Sequence, residues 1–229
     1  MKKATRKLIP ALAMLLISAV LMSTASFAWF SMNKTVTATG MSVTAKADQT
    51  FLVISNQAGQ STNTSITATA SNGSATLFPA AFGSISTNGT ITWKTGYSND
   101  IDSATAAGAL SDIPTSDVDK YVLSNTFYIR AASGTVDATN LKLTGVTVTS
   151  DSAFKDAVSV VVAVGNSTNT YVNGTLTNTD ALSATVTSAE DIVVHVYIYI
   201  NGDHSSVKTA NATAANLVGM NVAMTFGVA

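Results

Sequence analysis

Cysteine is absent from the 229-residue chain, and histidine occurs only twice, at His195 and His204. Without cysteine there are no disulfides, no cysteine nucleophile, no thiolate metal site and no dithiol redox motif. Stability must then come from a packed core or from neighbouring molecules. Two histidines at these positions form no HExxH zinc-protease signature. No Ser–His–Asp arrangement can be proposed around them from the sequence. The residues support no enzymatic reading, and no catalytic, cofactor-binding or metal-ligating set is assigned; His195 reads as a strand residue and His204 as a solvated turn residue.

Charge is also scarce, at 11% of residues against about 25% in ordinary domains. Four of the twelve basic residues (Lys2, Lys3, Arg6 and Lys7) lie in the first seven positions. After residue 28 eight bases face thirteen acids, a net charge of −5. That balance lacks the basic footprint of a nucleic-acid-binding protein and suits a soluble surface protein. What fills the chain instead is alanine, valine and threonine, with serine, asparagine and glycine, and 46% of residues are apolar. This is the composition of a β-protein with small side chains. It has neither the high charge nor the low hydrophobicity of a disordered chain.

The N-terminus has three parts. MKKATRK is basic, LIPALAMLLISAVLM (8–22) is apolar, and small residues follow. That is the layout of a secretory signal peptide. A signal peptidase needs small side chains at the third and first positions before the cut. Ser26 and Ala28 satisfy this and leave Trp29 as the new N-terminus; Ser23 and Ala25 satisfy it too and leave Ser26. A retained anchor is the alternative, since residues 8–30 are long enough to span a bilayer, but the last third is rich in serine and threonine. A type IV pilin leader would place a glycine before the cut and an acid soon after it, and neither is present.

Beyond residue 28 the chain reads as one domain, 29–229. Residues 35–47 form the first strand, with Val36 and Ala38 on one parity and Met41, Val43, Ala45 and Ala47 on the other. The phase changes at Gly40, where a bulge would let both halves face one core. Residues 51–55 read as a buried strand. Residues 56–119 are a loop-rich insertion: 56–75 loop or weak strands, 77–82 a return to the core, 91–97 a strand, and 99–119 an acidic excursion whose helical turn is expected at 103–110. The acids Asp100, Asp102, Asp112, Asp117 and Asp119 show neither EF-hand spacing nor a glycine-rich calcium repeat, so they read as a solvated loop. From residue 120 the strand signals strengthen. Residues 121–130 and 141–149 alternate, and 158–164 (VSVVVAV) is apolar on both faces, as in a strand between two layers. Asn173–Gly174 is a tight hairpin signal. The clearest strand is 192–200 (IVVHVYIYI), with Ile192, Val194, Val196, Ile198 and Ile200 on one face. Residues 218–228 close the chain. The expected fold is all-β, a jelly-roll-like β-sandwich of about nine or ten strands.

The stretch SFAWFSMNKTVTATGMSVTAKA, residues 26–47, resembles the start of mature chains in the TasA/CalY (camelysin) family of secreted biofilm-matrix fibre proteins of Gram-positive bacteria. In that family a small-residue cut is followed by an aromatic, a short polar spacer, and a strand ending near Gly–apolar–x–apolar–x–Ala–Lys. Phe30, Gly40, Met41, Val43, Ala45 and Lys46 stand in those places. Trp29 stands where the family has a small residue. The resemblance implies a cut just before the aromatic pair, hence after Ala28, made by a SipW-type signal peptidase. It implies a jelly-roll sandwich and matrix fibres in which the N-terminal strand of one subunit completes the sheet of the next, here through Val36, Ala38, Gly40, Met41, Val43, Ala45 and Ala47. Camelysin has been described as a metalloprotease, and no residue pattern here carries that chemistry.

Two functional classes follow. The first is a structural subunit of extracellular matrix or cell-surface fibres, a homopolymer built by donor-strand addition, in contact with the membrane only during export. A strand this close to a free N-terminus leaves its own sheet at low cost and adds to another by main-chain hydrogen bonds, and head-to-tail addition gives filaments. The second is a monomeric secreted binding module for carbohydrate or a surface ligand, using Trp93, Tyr97 and polar loops. N-terminal sequencing of the secreted protein is expected to begin at Trp29; retention of residues 1–28 would overturn the export reading.

Overall fold

The computed structural model describes residues 42–47, 52–60, 63, 65–69, 77–96, 110–135, 137–207 and 220–228. All belong to the compact unit Thr35–Ala229; the other unit, Met1–Lys34, lies outside the described residues, as do Ser26, Ala28 and Trp29. The described residues form fourteen strands: β1 (Ser42–Ala47), β2 (Leu52–Ser55), β3 (Ser65–Thr69), β4 (Ala81–Ile85), β5 (Ile91–Thr95), β6 (Ser111–Asp112), β7 (Val122–Ala131), β8 (Ala138–Thr149), β9 (Val158–Val164), β10 (Ser167–Val172), β11 (Thr175–Asn178), β12 (Ser183–Val186), β13 (Ile192–Ile200) and β14 (Asn221–Gly227).

The alternation in β13 sets the architecture. Val194, Val196, Ile198 and Ile200 are buried, while Val193 and His195, of the opposite parity, are exposed. Strand side chains alternate between faces, so one face of β13 must be covered along its length. It lies centrally in a six-stranded sheet of order β11-β10-β9-β13-β7-β2, pairing with β7 and β9. The cover is a five-stranded sheet of order β12-β8-β14-β1-β3. Leu141 and Leu143 of β8 and Val222, Met224 and Phe226 of β14 share one buried core with Phe127, Val160, Val162 and Val196 of the first sheet. The two sheets are therefore a β-sandwich. The chain crosses between them at most connections from β7 onward, the jelly-roll habit.

A third layer lies on the outer face of the six-stranded sheet. Strands β4, β5 and β6 form a small sheet. Its Trp93 packs with Val122, Val161, Tyr199, Ala80, Ile113 and Tyr121 in a second core. Ala80 fastens this layer to the end of β13: its N–H donates to the Ile200 carbonyl at 2.9 Å, and its own carbonyl accepts from the Gly202 N–H at 3.1 Å. This is why β9 is apolar on both faces, with Val160 and Val162 in the sandwich core and Val161 in the second core.

Turn chemistry agrees with the backbone. Asn173 and Gly174 both have positive φ, 51° and 80°, the pairing a two-residue hairpin turn between β10 and β11 requires. A bulge interrupts the β8–β14 ladder near Phe226. There the fully buried Asn169 of β10 reaches across the sandwich: its Oδ1 accepts from the Leu143 N–H at 2.7 Å and its Nδ2 donates to the Asp180 carbonyl at 2.7 Å. By contrast the Nδ2 of Asn125, opposite Val196, is buried and has no hydrogen-bond partner among the described residues.

Several sequence expectations change. Among the described residues fourteen strands replace nine or ten: β6 and β12 are short and carry no alternating apolar signal, and β3 lies in the stretch read as loop or weak strands. The helical turn expected at 103–110 falls almost wholly outside the described residues, and a 3-10 turn instead spans Thr115–Lys120. Asp117 and Lys120 hold it through an ion pair at 2.8 Å. Of the first strand, only Ser42–Ala47 lies within the described residues, so Val36, Ala38, Gly40 and Met41 and the phase change fall outside them.

Two substitutions on β13 test the alternation. Val196→Asp would place a carboxylate among buried valines at a cost of several kcal/mol, and is expected to abolish the cooperative thermal transition. Val193→Asp, on the exposed face of the same strand, is expected to shift stability by less than about 0.5 kcal/mol. Circular-dichroism melts of both variants check this, and cooperative melting of Val196→Asp would overturn the assigned face.

Candidate functional site

Strand β1 is interior. It runs parallel to β14, with Val43, Ala45 and Ala47 opposite Val222, Met224 and Phe226. On its other side it runs antiparallel to β3, with Val43 opposite Ala68 and Ala45 opposite Ile66. Among the described residues β3 joins the sheet only through β1. The N-terminal segment thus bridges the chain's last strand and β3. The row it meets on β14 is fully buried, so the register is tied to the core: with a side-chain period of two, a slip of one residue would mismatch the whole row.

A second feature lies where the three-stranded layer stops short of covering the outer face of the six-stranded sheet. A cleft of about 520 Å³ opens there. Its floor is Val122 and Ser124 of β7 with Tyr197 of β13; one wall is Gly89, Thr90, Ile91 and Trp93, and the other is Thr115, Val118 and Asp119. Trp93 is only 3% exposed and its ring lies 5.8 Å from Phe82, 5.8 Å from Tyr197 and 5.1 Å from Tyr199. It is a packing residue, not the open aromatic platform expected from the sequence, and Tyr97 falls outside the described residues. The aromatic that meets solvent is Tyr197, partly buried between Trp93 and His195.

Of the acids in the 99–119 stretch, Asp100 and Asp102 lie outside the described residues, and the other three do not converge. Asp112 pairs with Lys94 at 2.9 Å and Asp117 with Lys120 at 2.8 Å, while Asp119 lines the cleft. The hydrogen bond and charge of Asp117 raise the Lys120 pKa above its ordinary value. Among the described residues no three His, Cys, Asp or Glu side chains are grouped to hold a metal ion. His195 is exposed, with Nδ1 3.2 Å from the Thr126 hydroxyl, and His204 Nδ1 lies 2.8 Å from the Ser206 hydroxyl. Asn88–Gly89–Thr90, formally a glycosylation sequon, is the β4–β5 turn. Sequence reasoning missed Tyr197 and Asp119 as neighbours; the available signal was Tyr197 on the outward parity of an otherwise apolar strand.

Family models, curated proteins and solved structures were searched, and none matches the chain.

Burial raises the pKa of Tyr199 above the ordinary phenol value of 10.0, although hydrogen bonding to Ser159 and to the Phe82 backbone pulls it down, and burial raises Tyr197 in the same direction. A folded-state phenol pKa above the unfolded one means that the folded protein holds its proton longer. The associated stability is fully present below pH 10 and is lost as pH rises through the folded-state value. Urea denaturation at stepped pH is expected to show stability falling above about pH 10, with a shallower fall in Tyr199→Phe. An unchanged slope in that variant would remove Tyr199 as the cause.

Proposed function

We propose that the chain is a secreted structural subunit of extracellular fibres, exported by its N-terminal signal and joined to the next copy by donation of its first strand. The observation that carries this reading is the place of β1. Two ladders, one to the last strand and one to β3, meet on a strand supplied by the N-terminal segment. Both ladders are made of main-chain hydrogen bonds and a register, and neither requires that the strand come from the same chain. A strand from a second copy would reproduce them residue for residue, which is the condition for low-cost exchange between protomers. When each copy gives its strand onward and receives one from behind, the contact is head-to-tail and does not close, so it propagates.

The resemblance of residues 26–47 to the TasA/CalY family supports the same reading, as does the basic–apolar–small leader in front of them. The donor segment carries few charges: Lys34 and Lys46 are the only charged residues in 29–47. On this reading the partner is a second copy of the chain, with a SipW-type peptidase acting at Ala28, and the protein resides in the matrix or at the cell surface.

Electron microscopy of the secreted protein tests the mechanism. Wild type is expected to form filaments. Val43→Pro removes a ladder donor in mid-strand and is expected to shorten or abolish them, and a synthetic peptide of residues 29–47 is expected to cap wild-type growth where a scrambled peptide does not. Filaments of equal length for wild type and Val43→Pro, or with and without peptide, would overturn strand donation.

A further inference from the structure

We propose that the cleft beside Tyr197 binds a neutral carbohydrate. Its volume, about 520 Å³, falls within the roughly 300–1,000 Å³ of small-molecule sites. A sugar ring offers an apolar face of C–H groups and a rim of hydroxyls that both donate and accept, and the lining answers both. Tyr197 supplies a partly exposed aromatic face, its position set by Trp93 at 5.8 Å and His195 at 6.4 Å. Ile91, Val118 and Val122 extend the apolar surface, and Thr90, Thr115 and Ser124 supply hydroxyls. Hydroxyls suit a ligand whose groups play both roles, and the Asp119 carboxylate adds a stronger acceptor.

The charge of the lining excludes other classes. Among the described residues no Lys, Arg or His lines the cleft, and its one charged residue is acidic. The nearby Lys120 ammonium is held 2.8 Å from Asp117. A phosphate, sulfate or uronate would meet a carboxylate and no cation. An organic cation would want several aromatic faces around it; of the two aromatics in the lining, Trp93 is almost fully buried and Tyr197 is the one partly exposed.

Both walls are formed in advance. On one side the Gly89 N–H donates to the Ser86 carbonyl and the Ser86 N–H to the Thr90 carbonyl, each at 2.9 Å. Gly89 has φ +82°, and a Cβ there would lie 2.8 Å from the Gly165 carbonyl oxygen. The turn therefore rests directly on the β9–β10 connection, an approach that only glycine permits. On the other side the Asp117 N–H donates to Pro114 at 2.9 Å and the Tyr121 N–H to Val118 at 3.0 Å. Little ordering is left for the ligand to impose, which lowers the cost of binding. This site does not depend on the fibre reading; were that reading correct, repetition along a filament would multiply a weak single-site affinity.

The test is titration calorimetry of the purified secreted protein against cello-, chito-, manno- and xylohexaose, with hexagalacturonate and spermidine as charged probes. At least one neutral hexaose is expected to bind saturably, with Kd between about 10 μM and 5 mM, the range of a small open site. Ser124 is exposed, so Ser124→Trp fills the cleft without entering the core and is expected to weaken binding more than tenfold, with an unchanged melting curve. Asp119→Asn is expected to weaken it threefold to tenfold, and Tyr197→Phe, which keeps the aromatic face, by less than threefold. Absence of saturable binding to every neutral hexaose, equal binding by Ser124→Trp, or preference for either charged probe would overturn the proposal.

Discussion

The structure depends on how the six-stranded sheet is covered. Its inner face is buried by the second sheet, and among the described residues its outer face is covered only at the end where β4–β6 pack. Wherever both faces are covered, each residue must be apolar or fully hydrogen-bonded, because strand side chains alternate between two dry layers. That explains the valine run of β9 and the burial of Tyr199 at the covered end of β13. At the uncovered end the same strand presents Val193 and His195 to solvent. The cleft lies at this boundary, so it follows from the partial third layer and needs no special loop of its own.

With so few charges, polar groups in the interior are satisfied mainly by amides and hydroxyls. Asn169 shows why an amide is suited: it accepts from one sheet and donates to the loop before β12, using opposite ends of one planar group. A carboxylate could not donate and a lysine could not accept. Asn201 plays a similar part at the end of β13, donating to the Asn173 side chain at 3.0 Å and accepting from the Asp203 N–H at 3.2 Å. The Lys94–Asp112 pair, between β5 and β6 of the small third sheet, is solvent-exposed and of the kind that contributes about 0–1 kcal/mol. Arg130 and Asp191, 3.8 Å apart, are mostly buried.

The five-stranded sheet has a different weakness. Its order places the chain's first described strand beside its last, in parallel, with β3 hung on the far side. Contacts between segments this far apart in sequence carry a large loop-closure entropy within one molecule.

How much was legible beforehand follows from the same physics. Periodicity identified Ile192–Ile200, Val158–Val164 and the closing strand with their buried faces, because an alternating or continuous apolar run reports burial directly. Asn173–Gly174 was legible because positive φ at two successive positions demands such residues. The short polar strands β6 and β12 were not, since their pairing is main-chain hydrogen bonding that no side-chain pattern records, and β3 was legible only as loop or weak strand. The part played by Trp93 was misjudged, because a tryptophan in a polar region looks exposed until a sheet closes over it. The residues by themselves determined an all-β sandwich with its core strands and tight turns. Only the tertiary structure decided that β1 stands between β14 and β3, and that Tyr197 and Asp119, 78 positions apart in the numbering, line one cleft. Both are matters of which distant segments meet, and local side-chain preference carries no information on that.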